Sequence, residues 1–390
     1  METKRNGFFT YHTLSERERK NLLILELIKN KGSISRTEIS KETDINIVSI
    51  STYIKAYLDE HLVVEKGLDS STGGRRPELV ELNQDGAFII GVDINSHAMI
   101  ATVTDLTLKV MGRLKIQNPN SDEKGLESRC INLLHELINS AGIKELDIKA
   151  IGIGVADVGL IQLRGVIEKE FNARAFVGHD ASCAAFGEKT LNLDADVEEL
   201  LYMYSDIGCG IIIRGDIYLG AGGSAGELQI SNSHISKEEE AVLIRDSKYL
   251  KPWSSELGII SSARREIEKG VGTKMVAIAK GDIANLTREV VIEAARQNDE
   301  VALYIVQNAA INLGLRIAYL VNLFNPEVVV IGGGIEKAGE LVLAPIMDKI
   351  KRFAFSAQAE IVRVIPSTLG EDAVSLGAAS LAVREIFLKA

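Results

Sequence analysis

Two adjacent arginines in the run Gly73-Gly74-Arg75-Arg76-Pro77 are the side chains whose chemistry is easiest to name. Guanidinium groups on a glycine-bearing turn can clamp phosphates bidentately or enter a minor groove. Upstream, Asn46 is placed to cap a helix that presents Val48, Ser49, Thr52 and Tyr53 near its start, and Arg36 opens the helix before it. Small side chains at a helix start permit close approach to base edges, and hydroxyls can bond bases or phosphates. A second chemistry is offered by His179-Asp180, a pH-sensitive donor beside a carboxylate placed to cap a helix start. Glycines supply the third signal, because Gly208-Cys209-Gly210 and Gly332-Gly333-Gly334 suit either close backbone approach to a phosphate or a tight strand exit.

These side chains need elements to hold them. Ser15-Glu16-Arg17-Glu18 and Ser35-Arg36-Thr37-Glu38 both have the capping-box spacing, which predicts two helix starts. After the first, Leu22, Leu23, Leu25 and Ile28 form an apolar stripe that stops at Lys31-Gly32. After Asn46, residues Ile47, Ile50, Ile54 and Leu58 recur at spacings of three and four, the buried stripe of a third helix. Two strand-like runs, Leu62–Lys66 and Leu79–Leu82, flank the arginine-bearing tip as a hairpin. Three helices followed by a basic-tipped hairpin predict a winged helix-turn-helix over residues 1–82, in preference to a small helical protein-interaction domain.

From Ala87 the pattern changes. Apolar strands are expected at Phe88–Ile94, Met99–Thr104, Val110–Ile116, Ala150–Val155, Leu200–Tyr204, Ile211–Ile213 and Val328–Ile331, with a helix around Ile131–Ile138. Strand and helix alternation with glycine-rich strand ends points to a two-lobed α/β fold. The expected division is 1–82, 83–200 and 201–390, with the C-terminal helix returning to the first lobe.

Composition narrows the classes further. The chain has 390 residues, 46% hydrophobic and 25% charged with 6 prolines, which excludes a disordered or collagen-like chain. Net charge is −10 overall, but residues 1–80 hold 13 Lys plus Arg against 12 Asp plus Glu, net +1. The remainder holds 31 against 42, net −11, so the acidic field is kept away from the part meant to touch phosphate. Cys130, Cys183 and Cys209 form neither a disulfide framework nor a CxxC knuckle. No segment reaches the ~18 apolar residues of a membrane span, and the first twenty residues are too charged for a signal peptide. A cytoplasmic protein without a membrane partner is expected.

The order of the motifs resembles the ROK family, named for repressors, open reading frames and kinases. The resemblance rests on Ser35–Ile39 and Gly73–Pro77, then Gly91-Val92-Asp93, Gly152-Ile153-Gly154-Val155 and His179-Asp180-Ala181. It continues through Gly208–Ile212, Gly222–Glu227, Asn322–Glu327 with Gly332–Gly334, and Leu376-Gly377-Ala378-Ala379. It implies an actin-like (ribonuclease H-like) sugar-kinase fold carrying the winged domain of the repressor branch. It also implies effector-binding roles for His179, Asp180 and Glu227, with Asp180 the base if the protein is a kinase.

Departures from that pattern set the functional expectation. Asp93-Ile94-Asn95-Ser96 has Asn95 where kinase members have glycine, and Tyr204-Ser205-Asp206-Ile207-Gly208 has lost two glycines and gained a carboxylate. Asp93, Asn95, Gly208, Gly210, Gly332, Gly333 and Gly334 thus mark degenerate nucleotide loops, which argues against ATP and magnesium. The family's zinc ligands are missing, since Leu228-Gln229-Ile230 contains no histidine and Ser233 through Ser262 no cysteine, so no metal is expected. The segment between Gly165-Val166-Ile167 and Phe171–Val177 is shorter than usual in the family, so the usual sugar pocket lacks a wall or another segment supplies it. The leading expectation is a DNA-binding regulator, a repressor of carbohydrate-related genes, whose degenerate kinase-like part senses a small sugar or sugar phosphate, or only oligomerises. Its partner would be a palindromic double-stranded operator met by a homodimer or tetramer. The alternatives are an ATP-dependent sugar kinase using Asp180 and a non-sensing DNA-binding scaffold.

Overall fold

The computed structural model describes residues 14–68, 78–95, 97–117, 125–156, 162–204, 208–221, 223–228 and 256–390. The chain divides into a unit formed by Met1–Cys183 with Val374–Ala390, and a second formed by Ala184–Ala373. In this division the winged region and the first large sheet fall in the same unit.

The first unit opens with α1 (Glu16–Lys31), β1 (Ser33–Ser35), α2 (Arg36–Thr43), α3 (Ile47–Asp59), β2 (Val63–Leu68) and β3 (Glu78–Leu82). Both capping boxes form: the Ser15 and Ser35 hydroxyls accept from the N–H groups of Glu18 and Glu38, whose carboxylates accept in return from the cap N–H. Asn46 Oδ1 accepts from the Ser49 N–H at 2.8 Å and starts α3. The strands pair antiparallel in the order β1-β3-β2. Ile24, Ile28, Ile39, Ile50, Ile54, Val80 and Leu82 close the core beneath them. Leu25, Ile28, Ile50 and Ile54 of the expected stripes are buried, and the stripes differ only at their edges. Leu23 and Ile47 are exposed while Ile24 and Tyr57 point inward, because the Tyr57 hydroxyl finds a buried acceptor, Asn21 Oδ1, at 2.7 Å.

The first large sheet follows: β4 (Phe88–Ile94), β5 (Ala98–Asp105), β6 (Val110–Gln117), α4 (Leu126–Ala141), β7 (Ile148–Val155), α5 (Gln162–Phe171), β8 (Arg174–His179) and α6 (Asp180–Asn192). Its order is β6-β5-β4-β7-β8, antiparallel from β6 to β4 and parallel from β4 to β8. Alternate residues Ile90, Val92 and Ile94 of β4, with Ile151 and Ile153 of β7, pack under α4 and α5.

The second unit repeats that plan. After β9 (Leu200–Tyr204), β10 (Gly208–Ile213) and β11 (Asp216–Ile217) come α7 (Glu256–Glu268), α8 (Lys274–Ile278), α9 (Arg288–Arg296), α10 (Glu300–Phe324), β12 (Val328–Gly332), α11 (Glu340–Phe353), α12 (Ser356–Ile361) and β13 (Arg363–Pro366). The sheet order β11-β10-β9-β12-β13 again joins an antiparallel meander to parallel strands. Twin sheets of this kind are the actin-like architecture expected from the motif order. One expectation about apolar length needs correcting: α10 has a window of mean hydropathy 1.3, long and apolar enough to span a membrane, although half of that window is buried in the protein.

The C-terminal helix α13 (Ala373–Leu388) completes the first unit on the sheet face opposite α4. Gly91 and Gly152 are register partners, and a Cβ on them would stand 1.8 Å from the Ser375 carbonyl oxygen and 2.1 Å from that of Ala378. At Gly154 it would meet Val374 Cγ1 at 2.4 Å. The glycines of two family motifs thus serve to seat a helix against bare backbone.

Candidate functional site

The candidate DNA-contacting face of α3 is built outward from its core. Val48 is 73% exposed, Asn46 and Thr52 are exposed, and Ser49 and Tyr53 are half-buried. Ser51 Oγ and Thr52 Oγ1 donate to the Ile47 and Val48 carbonyls at 2.9 and 3.1 Å, which turns their lone pairs outward as acceptors. The exposed end of the helix therefore offers a methyl-bearing surface flanked by acceptors, suited to thymine methyls and base amino groups in a major groove.

Arg36 has partners within the winged region. Its guanidinium lies against Glu65 of β2 and, at 3.4 Å, Glu78 of β3, so it braces helix α2 to the wing strands. Lys66 pairs with Glu81 at 2.6 Å on the same strands. Arg75 and Arg76 lie outside the described residues.

At the carboxyl ends of β4 and β8 in the first unit, Asp93, His179 and Asp180 are all buried. His179 Nδ1 stands 3.3 Å from Asp180 Oδ1, and that carboxylate accepts from the Ala181 N–H at 2.6 Å at the start of α6. A helix N-terminus favours a carboxylate in this position. Cys183 lies beneath, its thiol pushed well up by burial and then by Asp180 and Asp93. Buried carboxylates at the ends of parallel strands, one of them beside an imidazole, form a polar site able to bond hydroxyls. Asn95 closes the neighbouring turn on itself: its Nδ2 donates to Asp93 Oδ2 at 2.9 Å, and its Oδ1 accepts from the His97 and Ala98 N–H groups at 3.0 and 2.9 Å. Its φ is negative, so the glycine-like conformation is not used.

The second unit holds the remaining candidates. Gly208 forms an antiparallel bridge with Glu227, and Gly226 lies so close to the Cys209 carbonyl that a Cβ would stand 1.8 Å away. The structure thus brings exposed Glu227 beside Gly208 at the start of β10, and Asp206 lies outside the described residues. The turn Gly332-Gly333-Gly334 is filled from within. Arg288, 8% exposed, donates to the Gly333 carbonyl and would be 2.0 Å from a Cβ on Gly334, while Tyr202 Oη occupies the same relation to Gly332. The Gly334 N–H donates to Glu336 Oε2 at 2.6 Å. A carboxylate already sits where a phosphate oxygen would seek that N–H, so this turn does not fit a nucleotide phosphate. No sequence motif announces Arg288 or Glu336; the arginine is 45 residues from the turn it fills.

Zinc does not fit the residues present either. Among the described residues no group of three His, Cys, Asp or Glu could hold a metal ion. The three cysteines are buried, and burial pushes the thiols of Cys130 and Cys209 up to about 12, far from the thiolate state that a metal requires.

Comparison with known proteins agrees with this architecture. The ROK family profile matches residues 89–240 and 258–385. The xylose repressor of Caldicellulosiruptor bescii is 29% identical over 96% of this chain and 98% of its own. Among solved structures, a ROK family transcriptional regulator described as a homologue of the E. coli MLC protein superposes with a TM-score of 0.76, at 22% identity over 96% of this chain and 98% of that one. A ROK glucokinase from Streptomyces griseus, in complex with glucose and AMPPNP, gives 0.62 at 23% identity, covering 99% of that chain but 76% of this one. The two structures share the fold, and with the family profile matching more than half of its residues, the chain belongs to the ROK family.

Proposed function

We propose that this chain is a DNA-binding transcriptional repressor of carbohydrate-related genes, responsive to a small sugar or sugar phosphate, and that it phosphorylates nothing. The observation that carries the reading is the outward face of α3, backed by a closed isoleucine core beneath three helices and three short strands in helix-turn-helix order. The name of the Caldicellulosiruptor relative, a xylose repressor, supports a carbohydrate circuit. Asn95 closed on its own turn and Glu336 on the Gly334 N–H support the absence of ATP chemistry, and the cysteines support the absence of zinc.

The effector-binding candidates proposed are His179 with Asp180 of the first unit and, as a separate candidate, Glu227 of the second, each carboxylate a hydroxyl acceptor. The operator is double-stranded and palindromic, read by a symmetric oligomer in the cytoplasm, where the genome lies. Binding of an effector that prefers one conformation shifts the population away from the DNA-competent state, and a few kcal/mol of differential affinity is enough.

The test starts with sequencing of genomic fragments retained by the purified full-length protein. The recovered fragment is then titrated by fluorescence anisotropy with xylose, other pentoses, hexoses and their phosphates, alongside an assay for ADP release from magnesium ATP. Selective retention, release by one sugar class and no ADP are expected. Unselective retention would remove the repressor reading, and turnover on the order of 1–100 per second would make the protein a kinase.

A further inference from the structure

Helices α1 and α2 carry acid in their first turns, Glu16 and Glu18 in one and Glu38 in the other, where the helix dipole favours it, but α3 carries none. Its start is bare of negative charge. The outer face of its first two turns is instead Ile47, Val48, Ser51 and Thr52, all exposed, with exposed Lys55 following one turn on. These positions recur at spacings of three and four, so they share one side of the helix. Among the described residues of the winged region, Leu23, Ile47 and Val48 are the large apolar side chains left exposed, and two of the three stand together here. β-Branched residues are poor helix formers, and at an exposed position no burial offsets that cost. The stability of α3 does not account for them.

The polar groups of this face are committed in one direction. Ser51 and Thr52 spend their hydroxyl protons on the Ile47 and Val48 carbonyls, and Asn46 spends its Oδ1 on the Ser49 N–H. Two-point recognition of guanine needs Arg or Lys, and that of adenine needs an amide with both its oxygen and its nitrogen available. Ile47, Val48, Ser51, Thr52 and the capping Asn46 offer neither. What apolar surface recognises in a major groove is the C5-methyl group of a pyrimidine. We infer that α3 reads such a methyl group through Val48, flanked by Ile47 and Thr52, and that a methylated pyrimidine specifies this position in each half-site. Thymine supplies the methyl in ordinary DNA, and 5-methylcytosine supplies it in methylated DNA. The outward lone pairs of Ser51 and Thr52 add an acceptor for a base amino group, which the adenine opposite thymine or 5-methylcytosine itself presents. The occupant is DNA because the winged region escapes the acidity of the rest of the chain. All of this rests on the chain being a DNA-binding regulator, and it names the chemical group to which the helix responds.

The test uses the full-length protein and a genomic fragment that it retains selectively, titrated by fluorescence anisotropy. At each pyrimidine of the half-sites, thymine is compared with uracil and, at a salt concentration low enough for both to bind, 5-methylcytosine with cytosine. Each pair differs by the methyl group alone. At one position per half-site the methylated base is expected to bind about 4-fold tighter in both pairs, the worth of one buried methyl-sized group. Changing both half-sites together should give about 15-fold. Val48→Ala should bring both ratios to about one while keeping the wild-type circular dichroism and urea midpoint, and Val48→Ile should keep the discrimination. Fragments indifferent to the methyl at every pyrimidine, or discrimination that survives in Val48→Ala, would overturn the methyl-reading role and leave sequence-specific DNA binding intact. If no fragment is retained selectively, the chain is not a sequence-specific DNA binder and α3 reads nothing.

Discussion

The winged region and the glycine turns of the kinase-like region treat their candidate side chains in opposite ways. On α3 the side chains that would meet a partner stand away from the protein, and the helix is stiffened from below by Ile50, Ile54 and Tyr57. Around Gly332–Gly334 and Asn95 the groups that would meet a nucleotide are turned back: Arg288, Glu336 and the Asn95 amide bond to their own turns. An interface for a large rigid partner needs exposed reach on a fixed frame. Here the backbone donor of Gly334 and the space beside the glycines are taken up by internal packing.

The sharpest test of that contrast lies in the glycines kept for packing. Gly91→Val should cost at least about 3 kcal/mol in urea unfolding, because its side chain would enter the Ser375 carbonyl of α13. If the variant were as stable as the wild type, the glycines would have to be explained by a ligand after all. Next in size is a pair on α3. Ile50→Ala should lose about 3 kcal/mol of stability, whereas exposed Val48→Glu should leave stability within about 0.5 kcal/mol yet weaken operator binding by roughly 30-fold or more through a charge set against phosphate. Equal stability losses for the two would mean that the outward face is misassigned.

What could be read from the chain alone was what short-range spacing encodes. Ser15 with Glu18, Ser35 with Glu38 and Asn46 with Ser49 are contacts across three residues, and all three helix starts form where the residues place them. The strands Phe88–Ile94 and Leu200–Tyr204 appear with the expected bounds, since continuous apolar runs mark buried strands. Tyr57 was missed because adjacent helix positions differ by about 100°, and Leu58 fits the apolar period nearly as well; the decision rests on Asn21, 36 residues away. β1 is three residues long and one of them is also a cap, too little for a pattern. Arg36 reads as a free cation until Glu65 and Glu78 are folded beside it. The filling of the glycine turn by Arg288 and the seating of α13 on Gly91 are likewise long-range facts with no local trace.

Two smaller effects separate frame from reach within the winged domain. Tyr57→Phe should cost about 1–2 kcal/mol, since it strands the buried Asn21 oxygen. It should also loosen the edge-to-face contact, with ring centroids 5.0 Å apart, between Tyr57 and Phe387 of α13. Arg36→Ala removes partly exposed ion pairs and should cost less than about 1 kcal/mol. If Arg36 is a brace, its removal leaves the salt dependence of DNA affinity unchanged, while alanine at Arg75 and Arg76 lowers that slope by about one for each phosphate no longer neutralised. A reduced slope in Arg36→Ala would return it to the reading surface.

The smallest effect concerns the filled turn. Burial holds the Glu336 carboxyl above its ordinary value of 4.5, even though the Gly334 N–H, Arg288 and Lys337 all favour its charge. The folded chain therefore binds this proton more tightly than the unfolded chain does. By linkage, Glu336 gives the fold its best relative stability below pH 4.5, and that advantage is lost as pH rises through the raised folded value. Carboxylates held low, such as Asp299 and Glu289, act in the opposite sense, so the whole-protein curve hides the effect. The difference between wild type and Glu336→Gln isolates it. The amide oxygen can still accept from Gly334, so the variant should match or exceed the wild type at neutral pH and lose that advantage as the solution is acidified. A variant that is less stable at neutral pH would show that the negative charge on Glu336 is needed beside Arg288, and that the turn is held by an ion pair in preference to a hydrogen bond.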